Sequence, residues 1–139
     1  MTGIPIVNQR SSSRSRLLIV DFLETTADSL ATIFSQEDYE VRRCYTAEAA
    51  LDVAETWQPH ILISDIIMSG MNGLDLAKRL TARYAECGVI LFSGQVSAEV
   101  IAEALSLKYV FFKKPVHPSV LINQVHALLA NEKQRPPTR

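Results

Sequence analysis

The sequence predicts an α/β fold: a five-stranded parallel sheet, doubly wound, with helices on both faces. Three observations predict it. Short apolar runs alternate five times with stretches of helical periodicity, the order expected of consecutive βα units. Most of these runs are continuously apolar, as strands covered on both faces must be. One run, Tyr39–Tyr45, carries Arg42 and Arg43, a polarity that suits an exposed sheet edge.

The elements follow in order. Leu17–Val20 is the first strand. Ala27, Leu30, Ala31 and Phe34 then fall at helical spacing. After the second strand, Thr46 is placed to cap a helix lined by Ala47, Ala50, Leu51 and Ala54. Pro59 ends the connection and Ile61–Ile63 is the third strand. Asn72-Gly73 opens a helix with Leu76, Ala77, Leu80 and Tyr84 in register, and Val89–Phe92 follows as the fourth strand. Ser97 caps a fourth helix, expected to turn Val100, Ile101, Ala104 and Leu105 inward. Tyr109–Phe112 is the fifth strand. The last helix starts near Pro118 and carries Leu121, Val125, Leu128 and Leu129. Right-handed crossovers and a polar second strand select the flavodoxin-like (βα)5 order 2-1-3-4-5.

Composition sets the remaining bounds. The chain has 139 residues, 47% hydrophobic and 21% charged, which suits one domain with a core of its own. Residues 1–15 read as a disordered leader, 16–131 as the folded domain and 132–139 as a flexible tail. The segment 17–131 carries 8 basic and 14 acidic residues, a net of −6, so nucleic-acid binding by this domain is not expected. No apolar run approaches the ~18 residues of a membrane span, and MTGIPIVNQR lacks a signal-peptide pattern. A cytoplasmic protein without membrane contact is the expectation. Cys44 and Cys87 form no metal-binding spacing and read as buried thiols. His60, His117 and His126 are scattered and read as surface or capping residues, and Trp57 as packing. Met68 and Met71 read as packing beside the loop after the third strand. No glycine-rich nucleotide motif is present, so ATP binding is not expected.

In a sheet of this order the site lies at the carboxyl ends of the strands. There the sequence puts Asp21, Asp65, Ser93 and Lys114, the last followed by Pro115. Two converging carboxylates repel, and a divalent cation relieves them. Hard oxygen ligands with open positions suit Mg2+. A lysine and a hydroxyl on the same rim can hold phosphate oxygens. The set reads as a metal-assisted site for phosphoryl transfer to a carboxylate.

Four strings carry a family resemblance: LLIVD at 17–21, ILISDIIMSGMNGLDLAKRL at 61–80, ILFSG at 90–94 and FFKKP at 111–115. At these spacings, residues 16–130 resemble the receiver domain of bacterial two-component response regulators, of CheY-like type. The resemblance implies that Asp65 is the phosphoacceptor, served by a sensor histidine kinase or a phosphotransfer protein. It implies Mg2+ held by Asp21, Asp65 and the backbone carbonyl of Ile67. Lys114 matches the lysine that contacts the phosphoryl oxygens, with a cis bond to Pro115. Ser93 matches the switch hydroxyl and Phe111 the aromatic switch. Phosphorylation would then repack the surface of helix 4, strand 5 and helix 5, where a downstream protein binds. The apolar fifth strand also marks a candidate homodimer face. Such a domain is a signalling phosphoacceptor rather than an enzyme, at most taking phosphoryl groups slowly from small donors and losing them again.

The chain departs from the family pattern. Phe22 stands where a second metal-binding acid is usual, which weakens the pull on Mg2+. Glu24, three residues after Asp21, is placed either to reach into the site or, the favoured reading, to begin the first helix, where an acid suits the dipole. Ser69 replaces a usual proline and is expected to loosen its loop slightly. Ile67 cannot orient an attacking water, so slow self-dephosphorylation is expected. A second reading follows from Phe22: a degenerate receiver acting as a phosphorylation-independent interaction module. A flavin-binding domain of the same topology is remote, since FLETTAD is a thin phosphate-cradling loop. The sequence leaves open whether the chain acts alone or is part of a longer protein.

Overall fold

The computed structural model describes residues 14–134. Ten elements alternate: β1 (Arg16–Val20), α1 (Glu24–Ser35), β2 (Glu40–Cys44), α2 (Ala47–Ala54), β3 (Ile61–Asp65), α3 (Gly73–Arg83), β4 (Gly88–Ser93), α4 (Ala98–Ser106), β5 (Val110–Lys113) and α5 (Pro118–Gln134). The five strands are parallel, in the order β2-β1-β3-β4-β5. This is the flavodoxin-like order expected from the sequence, with the arginine-bearing β2 at one edge.

The strand pattern explains the two-sided core. Side chains alternate between faces with a period of two. Leu17, Ile19, Ile61, Ile63, Ile90 and Phe92 point to the face covered by Leu30 and Phe34 of α1 and Leu121 and Val125 of α5. Leu18, Val20, Leu62 and Leu91 point to the other face, onto the alanines of α2, onto Leu76 and Leu80 of α3, and onto Ala104 of α4. Each fully buried aliphatic side chain stabilises the fold by about 1.5–3 kcal/mol, far more than any local propensity. Cys44 and Cys87 are both buried, and neither forms a disulfide. Trp57 packs in the core and donates its indole N–H to Glu40, 3.2 Å away.

Local signals set the helix starts. The side chains of Thr46, Asn72 and Ser97 accept bonds from the backbone N–H of Ala49, Asp75 and Val100. Each such cap is worth about 1 kcal/mol. His117 does the same for α5, its Nδ1 accepting from Ser119 N at 3.1 Å. His60 is half-buried rather than on the open surface, and its Nδ1 accepts the Arg16 N–H at 2.8 Å. Burial and the Arg16 charge together lower its pKa, against a smaller opposing effect of Glu40.

Two expectations need correction. Leu105 faces solvent, 54% exposed, instead of turning inward. At about 100° per residue it lies some 140° around α4 from Val100, outside the stripe centred on buried Ala104. The last helix also continues to Gln134, past the predicted boundary at 131, because Glu132, Lys133 and Gln134 are good helix formers and no breaker precedes Pro136. Most of the predicted leader (residues 1–13) and the end of the tail (135–139) lie outside the described residues. Ser15, the last leader residue, already accepts a bond from Glu40 N at 2.9 Å. Among the described residues no helix is long and apolar enough to cross a membrane.

Candidate phosphoacceptor site

The carboxyl ends of β1, β3 and β4 and the loop after β5 meet on one rim. Asp21 follows β1 directly and is fully buried, while Asp65 closes β3 and is 8% exposed. Lys114 follows β5 and reaches back across the sheet order. Its Nζ lies 3.2 Å from Asp21 Oδ2 and 3.2 Å from Asp65 Oδ2. Its bond to Pro115 is cis. The ammonium also stands 4.9 Å from the centre of the Phe92 ring, which forms an apolar floor beneath it.

Electrostatics follow from this packing. Two buried carboxylates share one cation, leaving a formal charge of −1. Burial raises the pKa of Asp65 above the ordinary carboxylate value. Lys114 opposes that rise, the charge of Asp21 adds to it, and the Ile67 N–H bonded to the carboxylate lowers it. Asp21 uses its other oxygen, Oδ1, to accept the Leu23 N–H at 2.9 Å. That bond shapes the turn into α1, whose first residue is the exposed Glu24.

The loop after Asp65 is tied at several points. Ile66 N donates to Phe92 O at 3.0 Å and Gly73 N to Ile66 O at 2.9 Å. Glu48, in the first turn of α2, accepts the Met71 N–H at 3.1 Å, and that bond lowers its pKa. Gly70 adopts φ +79°, a conformation that glycine takes without penalty. Gly73 is needed for a different reason: a Cβ there would lie 2.0 Å from the backbone oxygen of Asp65. The start of α3 is thus pressed against the end of β3. Ser69 is exposed in this tied loop.

Ser93, at the end of β4, is buried, and its hydroxyl sits 3.4 Å from both the N and the O of Gln95. It bonds within its own loop rather than with Asp65. Beside it, a cavity of about 150 Å³ is bounded by Val96, Ile101, Phe111 and Lys113. Phe111 is half-buried against the core on the α2–α3–α4 side. Phe22 stands half-exposed beside the site and shares its mouth with Asp65 and Ser93.

Asp21, Asp65 and Lys114 are therefore brought into direct contact, Ser93 and Ile67 border them, and Phe111 lies one cavity away. Sequence reasoning missed Glu48, Phe92 and the close approach at Gly73. Only Gly73 left a signal, a glycine directly after a cap residue. The carboxylates of Asp21 and Asp65 are hard oxygen donors of the kind Mg2+ takes, while the Ile67 backbone meets the site through its N–H, bonded to the Asp65 carboxylate. Phe22 contributes no oxygen donor. Among the described residues no group of three His, Cys, Asp or Glu side chains gathers to hold a metal.

Comparisons with known proteins agree with this fold. A family model described as "Response regulator receiver domain" matches residues 17–126. The chain is 28% identical over 118 residues to the transcriptional regulatory protein FixJ of Azorhizobium caulinodans, covering 84% of this chain and 56% of FixJ. It is 25% identical over 123 residues to the DNA-binding response regulator MtrA of Mycolicibacterium smegmatis, covering 88% of this chain and 54% of MtrA. The chain thus spans about half the length of these curated relatives. A CheY-like response regulator receiver domain from Methanospirillum hungatei JF-1 superposes with a TM-score of 0.82 at 28% identity, covering 88% of this chain and 100% of that one. Receiver domains are signalling domains that work with histidine kinases and downstream effectors, and they generally bind Mg2+ at the phosphorylation site. With the family's sequence pattern spanning most of its length and the family's fold around its acidic rim, the chain belongs to the response regulator receiver domains.

Proposed function

We propose that Asp65 accepts a phosphoryl group from the phosphohistidine of a sensor kinase or phosphotransfer protein, and that this modification switches a protein-interaction surface. The observation that carries the reading is the Lys114 ammonium, 3.2 Å from each of two buried carboxylates at the strand ends. An oxygen of Asp65 attacks phosphorus while Lys114 holds the incoming phosphoryl oxygens. Asp21, Asp65 and the Ile67 carbonyl would hold Mg2+, which neutralises developing charge when bound. The added group is nearly dianionic and rich in acceptors. It draws the Ser93 hydroxyl from its own loop toward Asp65, and Phe111 moves into the space beside it. The surface of α4, β5 and α5, with exposed Leu105 and Leu107, then changes its affinity for a downstream protein or for a second copy. This work belongs inside the cell, where the kinase's catalytic domain and ATP are found.

Phe22 supports a second reading. An apolar side chain at a position where the family usually has an acid leaves Mg2+ one carboxylate short, and the domain then works as a phosphorylation-independent interaction module. One experiment separates the two. The protein is incubated with Mg2+ and acetyl phosphate, and its intact mass is taken beside that of Asp65→Asn. One added phosphoryl group, absent from the variant, supports the phosphoacceptor. No adduct and no beryllofluoride binding, in the folded wild type and in folded Phe22→Ala alike, support the module.

A further inference from the structure

Six large hydrophobic side chains are exposed among the described residues, and three of them crowd one place. Phe22 is 50% exposed, Leu23 58% and Ile67 56%. Together with Gly94 and Gln95 across the opening, they surround the mouth above Asp65 and Ser93, a space of about 570 Å³. The collar is tied to the chemistry beneath it. Asp21 Oδ1 accepts the Leu23 N–H, so one buried carboxylate sets the backbone that carries Phe22 and Leu23. The Ile67 N–H bonds the other carboxylate.

Resting on the phosphoacceptor reading above, we propose that Phe22 is a specificity-determining residue: it shields Asp65 from water and from small hydrophilic phosphodonors. The physical reason is hydration. Asp65 lines this mouth, so a donor or water that approaches it there passes the apolar side chains. A small anionic donor or a water molecule passing the collar loses hydrogen bonds that phenyl and alkyl groups do not replace. A protein donor whose phosphohistidine stands among apolar side chains has no such loss, because covering the collar is favourable in itself.

Two reactions expose the effect. With acetyl phosphate, an Asp65 oxygen bonds to phosphorus as the bond from phosphorus to the acetate oxygen breaks, and acetate leaves with the electron pair. In hydrolysis, the oxygen of water bonds to phosphorus and the Asp65–phosphorus bond breaks, its electron pair returning to the carboxylate. The proton of the water passes to phosphate or solvent.

The test compares wild type, Phe22→Ala and Phe22→Leu, all with Mg2+. Adduct formation from acetyl phosphate and adduct loss after the donor is removed are both followed by intact mass. Phe22→Ala is expected to raise both rates about tenfold, while Phe22→Leu, still apolar, stays within about twofold of wild type. Thermal unfolding of Phe22→Ala should stay close to wild type, because the side chain is half in water. Unchanged rates in Phe22→Ala, or a rise in only one of them, overturn the shield and leave the phosphoacceptor standing. If neither wild type nor Phe22→Ala forms an adduct, the phosphoacceptor reading falls and this inference falls with it.

Discussion

Substituting Gly73 by alanine tests whether the start of α3 sets the position of Asp65. The new Cβ would meet the backbone oxygen of Asp65 at 2.0 Å, its carbonyl carbon at 2.9 Å and Ile66 Cα at 3.0 Å. All three are backbone atoms, so no side chain can swing aside. Restoring even a 3.0 Å contact to the oxygen requires about 1 Å of movement at the end of β3 or the start of α3. Overpacking of this kind costs about 1–3 kcal/mol. For a domain of this size that lowers Tm by roughly 4–15 °C. A displacement of about 1 Å at a reacting group can cost on the order of 10²-fold in rate. Phosphorylation of Asp65 should therefore fall much further than stability alone explains, at a temperature where the variant is still folded. Gly94→Ala is the control for stability alone, since the nearest atom to its Cβ is Lys114 Cβ at 4.0 Å. Thermal melts and initial phosphorylation rates with acetyl phosphate give both readouts. A Gly73→Ala protein as stable and as reactive as wild type would show that α3 backs away freely, and the argument from close packing would fail.

Further predictions concern the charges and the collar. Burial raises the pKa of Asp65, so its ionised form costs stability above the folded value and costs nothing below the unfolded one. Asp65→Asn should therefore melt higher than wild type at neutral pH, with the gain fading as pH falls into the carboxylate range. A difference that stays constant from about pH 3 to pH 8 would refute the assignment to Asp65. Phe22→Asp adds a hard ligand and should tighten Mg2+ binding by roughly tenfold or more in a calorimetric titration, whereas equal affinity would remove Phe22 as the weak point. Ile67→Asn supplies a polar group able to orient water and should speed loss of the phosphoryl group about tenfold, and an unchanged half-life would count against it.

The membership of the rim was legible because it depends on local pattern and topology. Asp21, Asp65, Ser93 and Lys114 each end or follow an apolar strand, and a parallel sheet of right-handed crossovers carries all strand ends to one side. The distances among them were not legible. Lys114 meets Asp21 across 93 residues and Asp65 across 49, and no periodicity reports such a contact. Glu48 reaches Met71 from a different helix, so neither residue announces the other. Leu105 misled because apolar character suggests an inward face, while its angle around α4 decides otherwise.

By itself, the sequence determined the alternation of strands and helices, the caps at Thr46, Asn72 and Ser97, the polar edge strand and the residue types at the strand ends. These rest on backbone hydrogen bonds and side-chain spacing within a few turns of chain. Tertiary structure decided that one ammonium serves two buried carboxylates, that Ser93 rests in its own loop, that Gly73 has no room for a side chain, and that Phe22, Leu23 and Ile67 close around one mouth. Those outcomes depend on how far separated strands stack against one another. That stacking is set by the burial of whole faces, a property that no short stretch of sequence contains.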